Sequence, residues 1–216
     1  MEKVEDDFYF IPNYFSSSEQ QCLVKKMMNL GLDSAKGFHY PDLKPHRFNA
    51  KPKYPVKKYM CLGLYWNPLD YLYNNLIPQH QVSPHPIGND FKTLSKKIIK
   101  QTFPLWEKTY KAEAILVNYY LQKDKMGWHT DKEEKDLKAP VIGISLGSEA
   151  RFQYENKKGE KKNLHLPSGS IYVFAETARL MRHSIAHVYT KTLPDSLKDL
   201  LGPGERISLT IRKVFV

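Results

Sequence analysis

At 216 residues the chain is long enough for one domain with a sizeable core and too short for two of ordinary size. Apolar residues make up 41% of it and aromatics 12%, which excludes wholesale disorder. Its 33 lysines and arginines exceed its 23 acids and leave a net charge of +10, a balance that favours acidic partners, nucleic acid foremost.

The opening residues MEKVEDDFYF carry no apolar run long enough for a signal peptide or a membrane span. Two cysteines, Cys22 and Cys61, make no disulfide framework and fit a reducing compartment. The expectation is a soluble intracellular protein of the nucleus or cytoplasm, monomeric, with no membrane partner. In residues 11–32, Ser17 and Gln20 stand at capping-box spacing, Leu23, Met27 and Leu30 follow at helical intervals, and Gly31 can end a helix. Pro41, Pro45, Pro52 and Pro55 then mark an irregular arm, whose Lys51, Lys53, Lys57 and Lys58 are candidate phosphate contacts. Residues 59–66, YMCLGLYW, read as a strand. After Pro84 and Pro86, Asn89 or Asp90 can cap a second helix with Phe91, Leu94 and Ile98 on one face and lysines on the other.

From residue 113 the pattern changes to short β-rich runs between turn signals: AILVNYYL, VIGISLG, ARFQYE, NLHL, SIYVFA, HSIAHVY and RISLTIRKVFV. Seven strands at this spacing predict a sandwich or barrel. The fold class is α+β, one domain over 1–216, with a helical 1–112 backing a β-rich 113–216.

The last strand carries the first chemical signal. On a period of two, Arg206, Ser208, Thr210 and Arg212 share one face and Ile207, Leu209 and Ile211 the other. Only six of the 33 basic residues are arginine, and two stand on this face, where a planar fork suits a carboxylate. Asn118 and Tyr120 likewise share a face of VNYYLQ and would need polar partners if buried. In GWHTDKEE, His129 and Asp131 are two apart on extended backbone, and His183 follows 52 residues beyond Asp131. Two histidines and one carboxylate make the facial set of non-haem Fe(II), which leaves positions open for a bidentate cosubstrate and O2. Zinc competes for such ligands, and His187, four residues beyond His183, competes for the third place. The other histidines, His39, His46, His80, His85 and His165, read as ordinary polar or surface residues, and DKEEKD as a charged segment between two strand runs. No glycine-rich phosphate loop competes for the function, because GISLGS and GPGE lack the required spacing. An iron held by His129, Asp131 and His183, with a dicarboxylic keto acid gripped by Arg206 and oriented by Asn118 and Tyr120, accounts for all three signals together.

In joint order, the Asn-x-Tyr of NYY eleven residues before HTD, the distal RLMRH and the terminal R-x5-R resemble the AlkB family of Fe(II)/2-oxoglutarate dioxygenases. The resemblance covers residues 113–216 well, and LGLYWNPLDYLY resembles the family's substrate-side hairpin, or lid, with a lean toward the eukaryotic homologue-one branch. It implies a double-stranded β-helix, or jelly roll, in 113–216, with a nucleotide-recognition lid in 1–112. His129, Asp131 and His183 would be the iron ligands and catalytic centre. Asn118, Tyr120 and Arg206 would hold 2-oxoglutarate, with Arg212 and Ser208 beside them. Trp66, Tyr71 and Phe174 would sandwich a base, and Glu133 would meet its edge. The family commonly has Asn at the place of Ser208, and Tyr189–Arg206 looks like an insertion that reshapes the rim. The implied reaction is oxidative demethylation of N-alkylated bases in single-stranded or flipped-out DNA or RNA, with O2 consumed and formaldehyde, succinate and CO2 released. The alternatives are an oxygenase for a protein or small molecule, or a catalytically silent nucleic-acid-binding module. Substituting His129 or Asp131 by Ala is expected to abolish turnover with the fold nearly intact.

Overall fold

The computed structural model describes residues 1–41 and 57–215. Pro45, Pro52 and Pro55, His46, and the candidate phosphate contacts Lys51 and Lys53 lie outside the described residues.

Strands β1 (Glu2–Glu5) and β2 (Phe8–Ile11) form a hairpin at the start of the chain, turning through Asp7 at φ +59°. The sequence reading overlooked both, because four-residue runs carry little periodicity and the acids of β1 suggest solvent rather than sheet. Phe8 and Phe10 nevertheless bury fully on one side of β2, where aromatic residues suit a pleated surface. Helix α1 (Ser17–Gly31) follows. Its capping box is Ser16 with Glu19, one residue earlier than predicted, and Val24 and Met27 bury its apolar side. The predicted strand at 59–66 divides into β3 (Lys58–Gly63) and β4 (Tyr65–Trp66), broken at Gly63, whose φ of +78° a side chain rarely adopts. Strand β5 (Tyr73–Asn74) pairs with β4 as a small hairpin.

Helix α2 (Asn89–Thr102) takes Gly88 rather than Asn89 or Asp90 as its N-cap, without a side-chain cap bond. It buries Phe91, Ile98 and Ile99. The β-rich region supplies β6 (Ala114–Tyr120), β7 (Met126–His129), β8 (Val141–Gly147), β9 (Ala150–Glu155), β10 (Lys161–Leu166), β11 (Ser170–Phe174), β12 (His183–Val188) and β13 (Arg206–Arg212). Seven of these are the predicted runs. The eighth, β7, had been read only as extended backbone around His129.

Two sheets face each other as a jelly roll. The larger runs β1-β2-β11-β8-β13-β6-β3 and the smaller β10-β9-β12-β7. The large sheet draws on both sides of residue 112, with strands from the first part at each edge. Ile207, Leu209 and Ile211 of β13 point to one side, into a core shared with Val24 and Met27 of α1 and Phe91 and Ile98 of α2. Each such side chain contributes about 1.5–3 kcal/mol on burial. The opposite side of the large sheet meets the small one through Phe8, Phe152, Tyr172 and Phe174. Residues 189–205 were expected to reshape the rim. Tyr189 and Thr192 contact the β9–β10 end of the small sheet, while further on Leu197 and Leu201 join the helical core and Ser196 accepts a bond from Gln21 of α1. No helix among the described residues is long and apolar enough to cross a membrane.

Candidate functional site

The polar face of β13 is enclosed between the two sheets. Arg206, Ser208, Thr210 and Arg212 are all buried, each opposite a residue of β6 and β8, and Ser208 faces Asn118 directly. An enclosed polar face needs partners.

His129 ends β7 and lies directly across from His183, the first residue of β12, with ring centroids 4.2 Å apart. Asp131, two residues on, brings Oδ1 to 3.8 Å from His129 Nε2. Ligand atoms of these three side chains lie within 4.8 Å of one another, the one such group among the described residues. In both histidines Nδ1 meets a carbonyl two residues back, that of Gly127 at 2.9 Å and that of Met181 at 3.0 Å. A carbonyl can only accept, so Nδ1 carries the hydrogen and Nε2 presents its lone pair to the cluster. Burial, reinforced by neighbouring His129, pushes the His183 pKa down to about 4 and keeps the imidazole neutral. Burial alone would raise the Asp131 pKa. Arg212 first, then His183 and His129, outweigh it and hold the carboxyl well below the usual carboxylate range. Two imidazoles and one carboxylate suit a divalent iron with open positions.

His187 is not a ligand. The pairing of β12 with β9 shifts register between Ile185 and His187, and this bulge turns His187 outward, exposed and edge-on to Tyr189.

A cavity of about 430 Å³ adjoins the three ligands. Asn118, Tyr120, Tyr172 and Ser208 line it from the large sheet. Tyr172 crosses the bare backbone of Gly143, where a Cβ would lie 2.0 Å from the ring. Arg206 is fully buried behind Tyr120, its guanidinium carbon 5.2 Å from that ring. Its Nε donates to Ser145 Oγ at 3.2 Å, but Nη1 and Nη2 have no hydrogen-bond partner among the described residues. A desolvated fork with both outer nitrogens free is costly unless an anion completes it, and a carboxylate matches its two parallel donors. The residues present therefore fit both Fe(II) and a dicarboxylic cosubstrate.

Of the expected substrate contacts, Trp66, Tyr71 and Glu133 line the cavity. Tyr71 adopts φ +64°, is 54% exposed and stands 5.8 Å from the Trp66 ring. Burial raises the Glu133 pKa. Phe174 does not line the cavity. It is buried against Phe8 and Tyr172, 5.4 Å behind the His183 ring, because its strand turns that face into the core. Lys57 lines the cavity, and burial lowers its pKa to about 8. Lys58 instead lies over the Tyr40 ring at 5.4 Å.

Arg212 is committed elsewhere than the cosubstrate reading expected. Its Nη2 contacts Asp131 Oδ1 at 2.8 Å and its Nη1 contacts Glu134 Oε1 at 2.6 Å. Glu134 Oε2 in turn pairs with Arg179 Nη2 at 2.5 Å, and Arg179 also donates to the Asp131 backbone carbonyl. The sequence gives no periodic signal for Glu134, in the charged segment DKEEKD, or for Arg179, ahead of His183. The scarcity of arginine that singled out β13 applied equally to Arg179.

Residues 7–212 match the 2OG-Fe(II) oxygenase superfamily. The DNA N(6)-methyladenine demethylase ALKBH1C of Arabidopsis thaliana is 29% identical over 223 residues, 94% of this chain and 47% of that protein. The alpha-ketoglutarate-dependent dioxygenase AlkB of Escherichia coli (strain K12) is 31% identical over 118 residues, 53% of each. The chain thus spans about half the length of the curated relatives it matches. Among solved structures, that of OsALKBH1 superposes with a TM-score of 0.83 at 24% identity, covering 98% of this chain and 100% of the other, which bears out the fold. The AlkB resemblance read from the motifs is borne out by these relatives.

Proposed function

We propose that this chain, which belongs to the 2OG-Fe(II) oxygenase superfamily, oxidatively demethylates N-alkylated nucleobases in single-stranded or flipped-out nucleic acid. One observation carries the reading: a His-Asp-His cluster lines one cavity together with aromatic residues of a hairpin, and a buried arginine with two free donors lies behind Tyr120, which lines the same cavity.

His129, Asp131 and His183 would hold Fe(II), and Arg206 would grip the distal carboxylate of 2-oxoglutarate through its paired donors. The bound metal and cosubstrate supply O2 activation, with succinate and CO2 as co-products and the alkyl carbon leaving as formaldehyde. The chain's own residues bind and orient. Asn118, Tyr120 and Ser208 present hydrogen-bonding groups beside the Arg206 fork. Tyr172, its ring laid against Gly143, lines the cavity beside them. Trp66 and Tyr71 offer faces on which a base can stack, and Glu133 an acceptor for its edge. A base within a duplex cannot enter a cavity between two sheets, so it must arrive unpaired or flipped. Lys57 adds a cation near the entering strand, in keeping with the net charge of +10. The relatives named as a DNA demethylase and as AlkB support the same substrate class.

The test incubates the protein with Fe(II), ascorbate and 2-oxoglutarate and reads methylated nucleosides in single-stranded oligonucleotides by mass spectrometry. Loss of a methylated nucleoside with matching succinate is the expected result. Succinate formed without any change in nucleic acid would transfer the activity to a protein or small molecule. Tight oligonucleotide binding with no succinate under any condition would leave a binding module.

A further inference from the structure

The β4–β5 hairpin carries Trp66 and lies next to Tyr71, both of which line the cavity. Tyr73 of β5 points a different way. Its hydroxyl donates to Glu134 Oε1 and accepts from Arg212 Nη1 at 3.1 Å. Neither Tyr73 nor Glu134 lines the cavity, so neither is placed to touch a substrate.

What they touch leads to Asp131. Arg212 joins Glu134 to the Asp131 carboxylate, and Arg179 joins Glu134 to the Asp131 backbone carbonyl. Arg179 is itself pinned by Nε to the Ala139 carbonyl at 2.9 Å. Asp131 is therefore gripped at two points by two guanidiniums, and a single carboxylate, Glu134, sets the position of both. Two guanidiniums against two carboxylates leave the buried group formally neutral, so it needs no further ion to persist. Tyr73 is the hairpin's hydrogen-bonded entry into this group.

We propose that Tyr73 and Glu134 are positioning residues for the metal ligand Asp131, and that they tie the seating of the β4–β5 hairpin to the geometry of the metal site. Groups that hold a ligand in place typically matter about 10–100-fold to metal affinity. Glu134, which orients both guanidiniums, belongs in that range. Tyr73 acts one step further out, through a single hydroxyl.

Mn(II) is a suitable probe, titrated calorimetrically into the full metal-free chain without nucleic acid. Glu134→Gln should weaken Mn(II) binding about tenfold or more, and Tyr73→Phe about threefold. The double variant should be no weaker than Glu134→Gln alone, since both act along one path. Wild-type Mn(II) affinity in Tyr73→Phe, or losses that multiply in the double variant, would overturn the proposal. A second measurement separates positioning from substrate contact. At saturating oligonucleotide, Tyr73→Phe should lower kcat and leave KM for the oligonucleotide nearly unchanged; a change confined to KM overturns the proposal equally. Tyr73→Phe removes one oxygen from a surface hairpin, and an unchanged unfolding midpoint verifies that the fold persists. The titration contains no nucleic acid, so its outcome stands apart from whether the substrate is a methylated base.

Discussion

Arg206 and Arg212 stand on the same face of the same strand, six positions apart, and both are buried, yet they live in opposite electrostatic conditions. Around Arg206 there are hydroxyls and aromatic rings but no carboxylate, and its two outer nitrogens have no partner among the described residues. Around Arg212 there are two carboxylates within 2.8 Å and a tyrosine hydroxyl. Burial opposes the charge at both. At Arg212 the acids more than compensate and lift its pKa well above the ordinary value, whereas at Arg206 it falls. A guanidinium already neutralised from within the chain braces the structure. One left without a counter-charge is a place kept for an incoming anion.

The sharpest way to break this contrast is at the metal ligands. His129→Ala and Asp131→Ala should both drop turnover below detection, but their stabilities should diverge. His129 is half-buried and its loss should scarcely move the unfolding midpoint. Removing Asp131 strips Arg212 of one buried partner and should cost about 3 kcal/mol in chemical denaturation. This revises the expectation that either substitution spares the fold. If the two variants unfold alike, the bracing role of Arg212 is wrong.

Next in size, Arg206→Lys should weaken 2-oxoglutarate binding about a hundredfold, because a point charge replaces two parallel donors. Arg206→Met should abolish that binding and make the cosubstrate-free protein about 2 kcal/mol more stable, since an uncompensated cation leaves the interior. Added 2-oxoglutarate should raise the midpoint of the wild type and not of Arg206→Met. A less stable Arg206→Met would mean that its charge is balanced within the chain after all.

A smaller effect separates the aromatic residues. Tyr71→Ala should raise KM for an oligonucleotide about tenfold with the midpoint unchanged, as expected for a lost stacking face. Phe174→Ala should do the reverse, costing about 3 kcal/mol of stability for a buried ring.

The smallest concerns Lys57, whose amine is protonated below about pH 8 and neutral above it. Oligonucleotide affinity should therefore fall a few-fold as pH rises through 8, and Lys57→Met should remove that step while leaving the rest of the pH profile in place. A flat profile in the wild type would show that Lys57 meets no phosphate.

The His-Asp-His cluster and the buried Arg206 were legible in the sequence because strand periodicity survives in short runs: two residues apart means one side, and β13 obeys this throughout its length. The same logic misjudged His187, where a single bulge in β12 reverses the side on which a residue emerges. It also passed over Glu134 and Arg179, which sit in irregular backbone between β7 and β8 and before β12, where no period exists to be read. The cap of α1 was off by one position because several serines stand together there and only the backbone decides which one caps, whereas α2 begins on Gly88, which has no side chain to signal it. Phe174 was assigned to the substrate by analogy with a family position, but the inward face of β11 belongs to the core.

Gly143 carries a consequence out of proportion to its size. Because nothing projects from it, the Tyr172 ring can lie across β8 where it lines the cavity. A methyl group at 143 would collide with that ring at 2.0 Å and force it to shift. Such a variant would keep every charged side chain discussed above yet displace a ring that lines the cavity, so the shape of that cavity is governed in part from a position that does not line it.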